Sequence, residues 1–229
     1  MSNLIFHDDA YFDRFVDDLR LDLVSKAEQI TSETNQEPIL FFVTTTFLAY
    51  PDNSFNNFTA ESQQAASSKI DQMLKRYDRF YRHLLTELLQ TRYYHRPKYR
   101  THQPLTYMFV DFPHTTYRPT KRLPAFMKLI KESQTAKDHL LFTQAPEDVP
   151  HIHAVMLARA EQAEYLNANK RKLQRMFYDI EHANQSLDIQ EVPLVKEDMG
   201  KVISYSAKFL YYCTAHYADA SLYDILPRR

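Results

Sequence analysis

Two histidines separated by one residue, His151 and His153, are the side chains of this sequence best suited to hold a metal ion. They begin an apolar segment, His151 to Leu157, that predicts a β-strand. Because side chains alternate across a strand, both imidazoles would point to one face while Ile152 points to the other. Two adjacent imidazoles can bind a divalent ion, and such a site needs at least one further ligand.

The third ligand is expected on a strand that pairs with the histidines. A strand predicted over 139–144 precedes a two-proline turn at 145–150, so a hairpin would return Gln144 to the side of the pair. Glu147 competes with it, because a carboxylate oxygen binds a hard ion better than an amide oxygen does. The residues leave this choice open.

A second pair, Tyr205 and Lys208, lies three positions apart on the last predicted helix, 197–216. This spacing places both side chains on one face. A phenol titrates at about pH 10 and is a weak nucleophile at neutral pH, so it needs a nearby cation or metal ion that favours the phenolate. The chain has 16 tyrosines, most of which are expected to pack in the core. Tyr205 and Lys208 therefore indicate a catalytic site only in combination with His151 and His153.

The elements that must position these residues mix helices with strands. Helices are predicted over 8–31, 61–91, 122–133, 160–180 and 197–216. Strands are predicted over 38–47, 105–112, 139–144, 151–157 and 187–195, the last as an edge strand because it contains Pro193. This order predicts an α+β fold with a central antiparallel β-sheet flanked by helices, formed by a single domain over residues 1–229.

Composition excludes several classes of protein. The chain contains one cysteine, so it has no internal disulfide, and one glycine, so it has no glycine-rich phosphate loop and no helicase domain. Its 229 residues carry a net charge of -1, so any nucleic-acid surface must be a local patch. We see no signal peptide and no apolar run long enough for a membrane span. A cytoplasmic protein without a membrane partner is expected.

One such patch is predicted in the loop 92–100, which interleaves cations with aromatic rings. Its members are Arg92, Tyr93, Tyr94, Arg96, Lys98, Tyr99 and Arg100. Cations can hold phosphates while rings stack on bases, so this loop is the expected DNA-binding segment. Two further basic sets, Arg118 to Arg122 and Lys170 to Arg175, are also present, and the second favours a solvated helix surface.

Taken together, three motifs resemble the HUH endonuclease superfamily, in particular rolling-circle replication initiator proteins with one catalytic tyrosine. Residues 41–47, a threonine-rich strand, look like the first motif, and residues 150–157 look like the second, histidine-hydrophobic-histidine motif. Residues 202–208 look like the third, with tyrosine and lysine three apart. The ordered trio, which spans most of residues 38–212, carries the resemblance.

The resemblance implies an RRM-like palm that nicks and joins single-stranded DNA at a specific sequence. His151 and His153 would bind Mg²⁺ or Mn²⁺, with Gln144 in the matching third position. Tyr205 would attack a DNA phosphate and form a 5′-phosphotyrosine link, with Lys208 supporting it. Replication of a plasmid or phage from an origin hairpin is the implied role. Because the chain has no helicase motif, recruitment of a host helicase is expected.

Three different functions remain open beside this one. A single-tyrosine transposase or a relaxase would share the chemistry and act on another DNA. A two-histidine phosphoesterase needs two His-x-Thr/Ser motifs, of which 114–116 supplies only one. A DNA-binding module that keeps the fold without cleaving would not need the intact histidine pair, Tyr205 and Lys208.

Overall fold

The computed structural model of the protein describes residues 9–46, 60–111, 151–181, 186–207 and 223–227. In chain order its elements are α1 (Asp9–Thr34), β1 (Ile39–Thr46), α2 (Ala60–Leu88), α3 (Pro97–Arg100), β2 (Leu105–Asp111), β3 (His151–Ala158), α4 (Ala160–Ala168), α5 (Lys170–Glu181), β4 (Leu187–Val192), α6 (Lys196–Ser206) and β5 (Tyr223–Leu226).

The five strands form one sheet in the order β4-β1-β3-β2-β5, and all neighbouring strands are antiparallel. The predicted α+β fold is therefore confirmed. From β1 to β4 the chain follows the split β-α-β pattern. α2 and α3 connect β1 to the parallel strand β2, and α4 and α5 connect β3 to the parallel strand β4. β5 extends this sheet beyond β2, and the sequence analysis did not predict it.

Helices cover both faces of the sheet. α1 and α6 contact each other and lie on the face that bears His153, where Phe15 of α1 packs edge-on against Phe109 of β2. α2 and α5 pack together, with Phe80 against Phe177. Right-handed crossovers place these two helices on the opposite face. The sheet is thus buried on both sides, which explains why its central strands read as apolar runs.

β3 is the central strand, and its position controls the site. Seven of its eight residues are buried. β1 pairs along its whole length on one edge, and β2 pairs from Asp111 opposite His151 to Leu105 opposite Leu157 on the other. Both edges of β3 are therefore occupied by strands other than the hairpin partner that the sequence analysis expected at 139–144. Those residues lie outside the described part of the chain.

Two smaller differences have local causes. The helix predicted over 160–180 is divided at Asn169, whose backbone leaves the helical conformation (φ -115°, ψ 19°) and whose side-chain amide donates to the carbonyl of Tyr165 at 2.9 Å as a cap. β4 ends at Val192 and not at Val195, because Pro193 has no N–H to donate to the sheet. β4 is an edge strand, as predicted.

Candidate metal centre

His151 and His153 point to the same face of β3, as the alternation of the strand requires. Their Nε2 atoms are 3.1 Å apart. His153 is buried, at 3 % exposure, while the side chain of His151 keeps 15 % of its surface. One imidazole is therefore enclosed by the sheet and its helices, and the other borders solvent.

Asp111, the last residue of β2, completes the group. It lies directly opposite His151, and its Oδ2 is 3.1 Å from the Nε2 of each histidine. The carboxylate is fully buried. Asp111, His151 and His153 thus bring one donor atom each to a common point, and this group can hold a metal ion. The sequence analysis missed Asp111. The available signal was an acid at the end of an otherwise apolar predicted strand.

The donor set fits a divalent ion. A carboxylate oxygen and two imidazole nitrogens repel one another unless a cation or a proton lies among them. The three donor atoms, 3.1 Å from one another, are close enough for one ion to be held by all of them. Three donors on one side would leave the remaining coordination positions to water or substrate.

The two ligand candidates from the sequence, Gln144 and Glu147, lie outside the described residues. Gln144 was predicted to lie beside the histidines on a paired strand. In the described part of the chain, Asp111 lies at that place. His114 of the phosphoesterase motif also lies outside it.

Thr44 of β1 orients the buried imidazole from the other side. It pairs with His153 across the strands, and its Oγ1 is 3.2 Å from Nδ1. When Nδ1 donates its proton to this hydroxyl, Nε2 carries the lone pair that a metal ion needs. Thr44 belongs to the threonine-rich strand that the sequence analysis singled out, and this contact gives that strand a role at the site.

Tyr205 of α6 lies against the histidines. Its ring centroid is 5.1 Å from that of His153. Met199, Ile203 and Ala207 anchor the buried side of α6. Tyr205 remains 45 % exposed, in the same range as Tyr93 and Tyr178. Its ring lies beside His153 and keeps a surface that a substrate can reach. Lys208 lies outside the described residues.

Phe42 fixes the relation between the two rings. It stacks on His153 with centroids 5.0 Å apart and planes at 27°, and it meets Tyr205 edge-on at 5.9 Å. Three rings from β1, β3 and α6 therefore form one packed group, whose centre is the buried imidazole. Aromatic pairs of this kind add about 0.5–1.5 kcal/mol beyond the area they bury. The packing restricts where the tyrosine can lie.

The basic loop 92–100, whose last four residues form the single turn of α3 and not the loop predicted there, lies away from this centre. It precedes Leu105, the end of β2 opposite to Asp111, and at about 3.3 Å per residue the strand separates them by roughly 20 Å. Arg159, at the other end of β3 from His151, bonds Thr101 just beyond the loop at 3.0 Å. The structure therefore brings Tyr205 to the histidines but does not bring the predicted DNA-binding loop to them.

Comparison of the chain with protein-family models, with curated proteins and with solved structures gave no match. Among the described residues, no helix combines the length and the apolar character needed to cross a membrane. The interpretation of the site therefore depends on the geometry of its own residues.

Proposed function

We propose that this protein is a metal-dependent DNA endonuclease and strand transferase that uses Tyr205 as its nucleophile. The observation that carries the proposal is the contact of the exposed Tyr205 ring with His153, one of three clustered donor residues. A solvent-accessible phenol held beside such a group is poorly explained by packing. Activated nucleophiles are recognised by this arrangement, in which the attacking group lies next to the group that activates it.

The reaction is a transfer of a phosphoryl group between oxygens. The phenol oxygen of Tyr205 attacks the scissile phosphorus and loses its proton, and the bond to the 3′ oxygen breaks. The 3′ oxygen takes up a proton and leaves as a free hydroxyl, while the phosphate stays on Tyr205 as a 5′-phosphotyrosine. A 3′-hydroxyl that attacks this link in the reverse direction rejoins the strand and releases the tyrosine.

Asp111, His151 and His153 would hold the ion, and Thr44 would keep His153 in the tautomer that binds it. When bound there, a divalent ion would supply Lewis-acid polarisation of a phosphate. Phe42 would hold Tyr205 in line with that phosphate. Lys208, three positions after Tyr205 in the sequence, is proposed to neutralise charge on the transition state.

Mg²⁺ or Mn²⁺ is the ion that we propose. The carboxylate oxygen of Asp111 suits these hard ions. Two imidazoles in the donor set favour Mn²⁺ over Mg²⁺, because Mg²⁺ prefers oxygen ligands alone.

The biological setting that we propose is initiation of rolling-circle replication on single-stranded DNA or an origin hairpin of a plasmid or phage. A single-tyrosine transposase or a relaxase is the second candidate, since the chemistry is the same and only the DNA differs. With one glycine in 229 residues the chain has no helicase motif, so strand separation is assigned to a host helicase. A pulldown with host helicases tests that assignment.

The experiment mixes the protein with circular single-stranded phage DNA and Mn²⁺, then separates the products on a denaturing gel. We expect a covalent protein–DNA adduct that peptide mapping assigns to Tyr205. Tyr205→Phe should abolish it, whereas Tyr178→Phe should not, because Tyr178 is similarly exposed at 48 % but lies on α5. An adduct that persists in Tyr205→Phe would refute the assigned nucleophile.

Metal chelation and the identity of the products distinguish this endonuclease from a phosphoesterase and from a DNA-binding module. Cleavage that continues in EDTA would contradict a role for the Asp111–His151–His153 group in the reaction. Products without a covalent link, formed on cyclic phosphates, would favour a phosphoesterase. DNA binding without cleavage under any divalent ion would favour a non-catalytic module.

A further inference from the structure

A basic groove of about 550 Å³ lies along the outer side of α2, and the proposed function does not use it. Among its lining residues, Lys75, Arg79, Arg82 and His83 recur at helical spacing and are all exposed. Half-buried Tyr94, from the loop that follows α2, closes one side. The groove therefore joins α2 to the basic loop 92–100 in one surface.

The charge of this surface is strongly positive. The lining of the groove contains three Lys or Arg residues and one acid, Asp78, and the loop 92–100 adds four cations without an acid. Asp78 is buried and ion-paired to Arg82, so it holds that guanidinium in place rather than exposing a negative charge. Because the whole chain has a net charge of -1, this local excess is compensated elsewhere on the molecule.

The tyrosines of the loop hold cations. The guanidinium of Arg96 lies 4.4 Å above the Tyr93 ring, and the Lys98 ammonium lies 4.7 Å above Tyr99. One face of each ring is therefore already covered by a cation. The base stacking expected from the sequence would have to use the other face. The rings act here to position cations, and positioned cations are what phosphate groups recognise.

The spacing favours a stiff ligand. From Lys75 to Thr86 the helix spans roughly 16 Å at 1.5 Å per residue, and a DNA duplex covers the same length in about five base steps. A helix holds its cations at fixed separations, which suits a duplex that is rigid over this length. Single strands are bound by rings that stack on successive bases, whereas Tyr93 and Tyr99 of this surface each carry a cation over one ring face.

We propose that the groove of Lys75, Arg79, Arg82 and His83, with the adjoining loop 92–100, binds the phosphates of double-stranded DNA as a second site. This site is separate from the metal centre, because α2 and the sheet lie between them. The proposal deepens the proposed function, on which it rests for the expectation that the protein works on DNA. The duplex is a natural neighbour of the single strand that is nicked, such as the stem of a hairpin.

The test measures binding of a fluorescent 20-base-pair blunt duplex, and of a single strand of equal length, by anisotropy in EDTA at several salt concentrations. The variant is Lys75→Gln/Arg79→Gln. The matched control is Arg171→Gln/Arg175→Gln, a pair with the same spacing on exposed positions of α5. Unchanged melting temperatures of both variants verify that they are folded.

For the wild type, three to four phosphate contacts predict a slope of about -3 to -4 in log affinity against log salt. The Lys75/Arg79 variant should lose roughly 2 from this slope and at least about 10-fold in duplex affinity at 0.1 M salt, with a smaller loss on the single strand. The control variant Arg171→Gln/Arg175→Gln should change neither the duplex affinity nor the single-strand affinity by more than about 2-fold.

Unchanged duplex affinity in the Lys75/Arg79 variant would overturn the proposal. An equal loss on both DNAs, or a loss on the single strand alone, would overturn the assignment to duplex. The binding result does not depend on nicking. EDTA removes the metal ion that the reaction needs, and a blunt duplex offers no single strand to nick. In a separate assay with Mn²⁺ and a short single-stranded oligonucleotide, failure of the wild type to form the Tyr205 adduct would count against the proposed function and leave the binding result intact.

Discussion

The Oδ2 atom of Asp111 lies 3.1 Å from the Nε2 atom of His151, across the paired ends of β2 and β3. The carboxylate is fully buried, and the imidazole is at the border of solvent. A buried carboxylate is costly unless a cation compensates it. This pairing makes the group of Asp111, His151 and His153, rather than the histidine pair alone, the candidate metal centre.

Asp111→Asn should remove metal binding while keeping the shape of the side chain. At a Mn²⁺ concentration of 100 times the dissociation constant, binding stabilises a protein by about 2.7 kcal/mol. For a chain of this size that corresponds to a rise in melting temperature of roughly 5–10 °C. We expect the rise in the wild type and its loss in Asp111→Asn, measured by calorimetry. Asp188→Asn, an exposed acid on β4, is the control and should keep the rise.

Thr44→Val tests the orientation of His153. The valine has the shape of threonine but cannot bond Nδ1, so the ring should lose its preferred tautomer. Loss of such a partner typically weakens metal affinity by about 10–100-fold. Titration calorimetry with Mn²⁺ measures this metal affinity. Thr46→Val serves for comparison, because its hydroxyl bonds Ser186 and not a histidine. Equal affinities of the two variants would argue against a role for Thr44.

Phe42→Leu tests the packing that locates Tyr205. Leucine keeps an apolar side chain but loses both ring contacts, so Tyr205 should sample more positions. A displacement of about 1 Å can cost up to roughly 100-fold in rate. We expect slower formation of the covalent adduct with a Mn²⁺ affinity within about 3-fold of the wild type. Phe42→Tyr, which keeps the ring, should restore the rate. If Phe42→Leu lost metal affinity and rate in parallel, Phe42 would support the ligands and not the tyrosine.

Glu33→Gln tests a link between α1 and the start of α4. Glu33 accepts from Arg159 at 2.5 Å, and this hydrogen bond lowers the pKa of Glu33 below its ordinary value of 4.5. Folding therefore favours the ionised form. The stabilisation is fully present above about pH 4.5 and is lost as the pH falls through the lower folded-state pKa. The wild type should lose more stability than Glu33→Gln between about pH 5 and pH 3, as measured by urea unfolding. Parallel curves for the two proteins would contradict this link.

The sequence alone determined much of what is local. Apolar and β-branched runs predicted β1, β2 and β3 because a sheet covered on both faces buries most of the side chains of these strands. The one-residue spacing of His151 and His153 placed both on one face, because the period of a strand is two. The same local reasoning predicted α1 and α2 to within a few residues.

Only the tertiary structure decided which distant residues meet. Asp111 reaches His153 from 42 positions away, and Thr44 reaches it from 109. These contacts follow from the strand order, and register between remote strands leaves no trace in local periodicity. Local spacing instead favoured a third ligand on a hairpin close to the histidines, at Gln144 or Glu147. Strand direction likewise separates the loop 92–100 from the metal centre, because the two lie at opposite ends of β2.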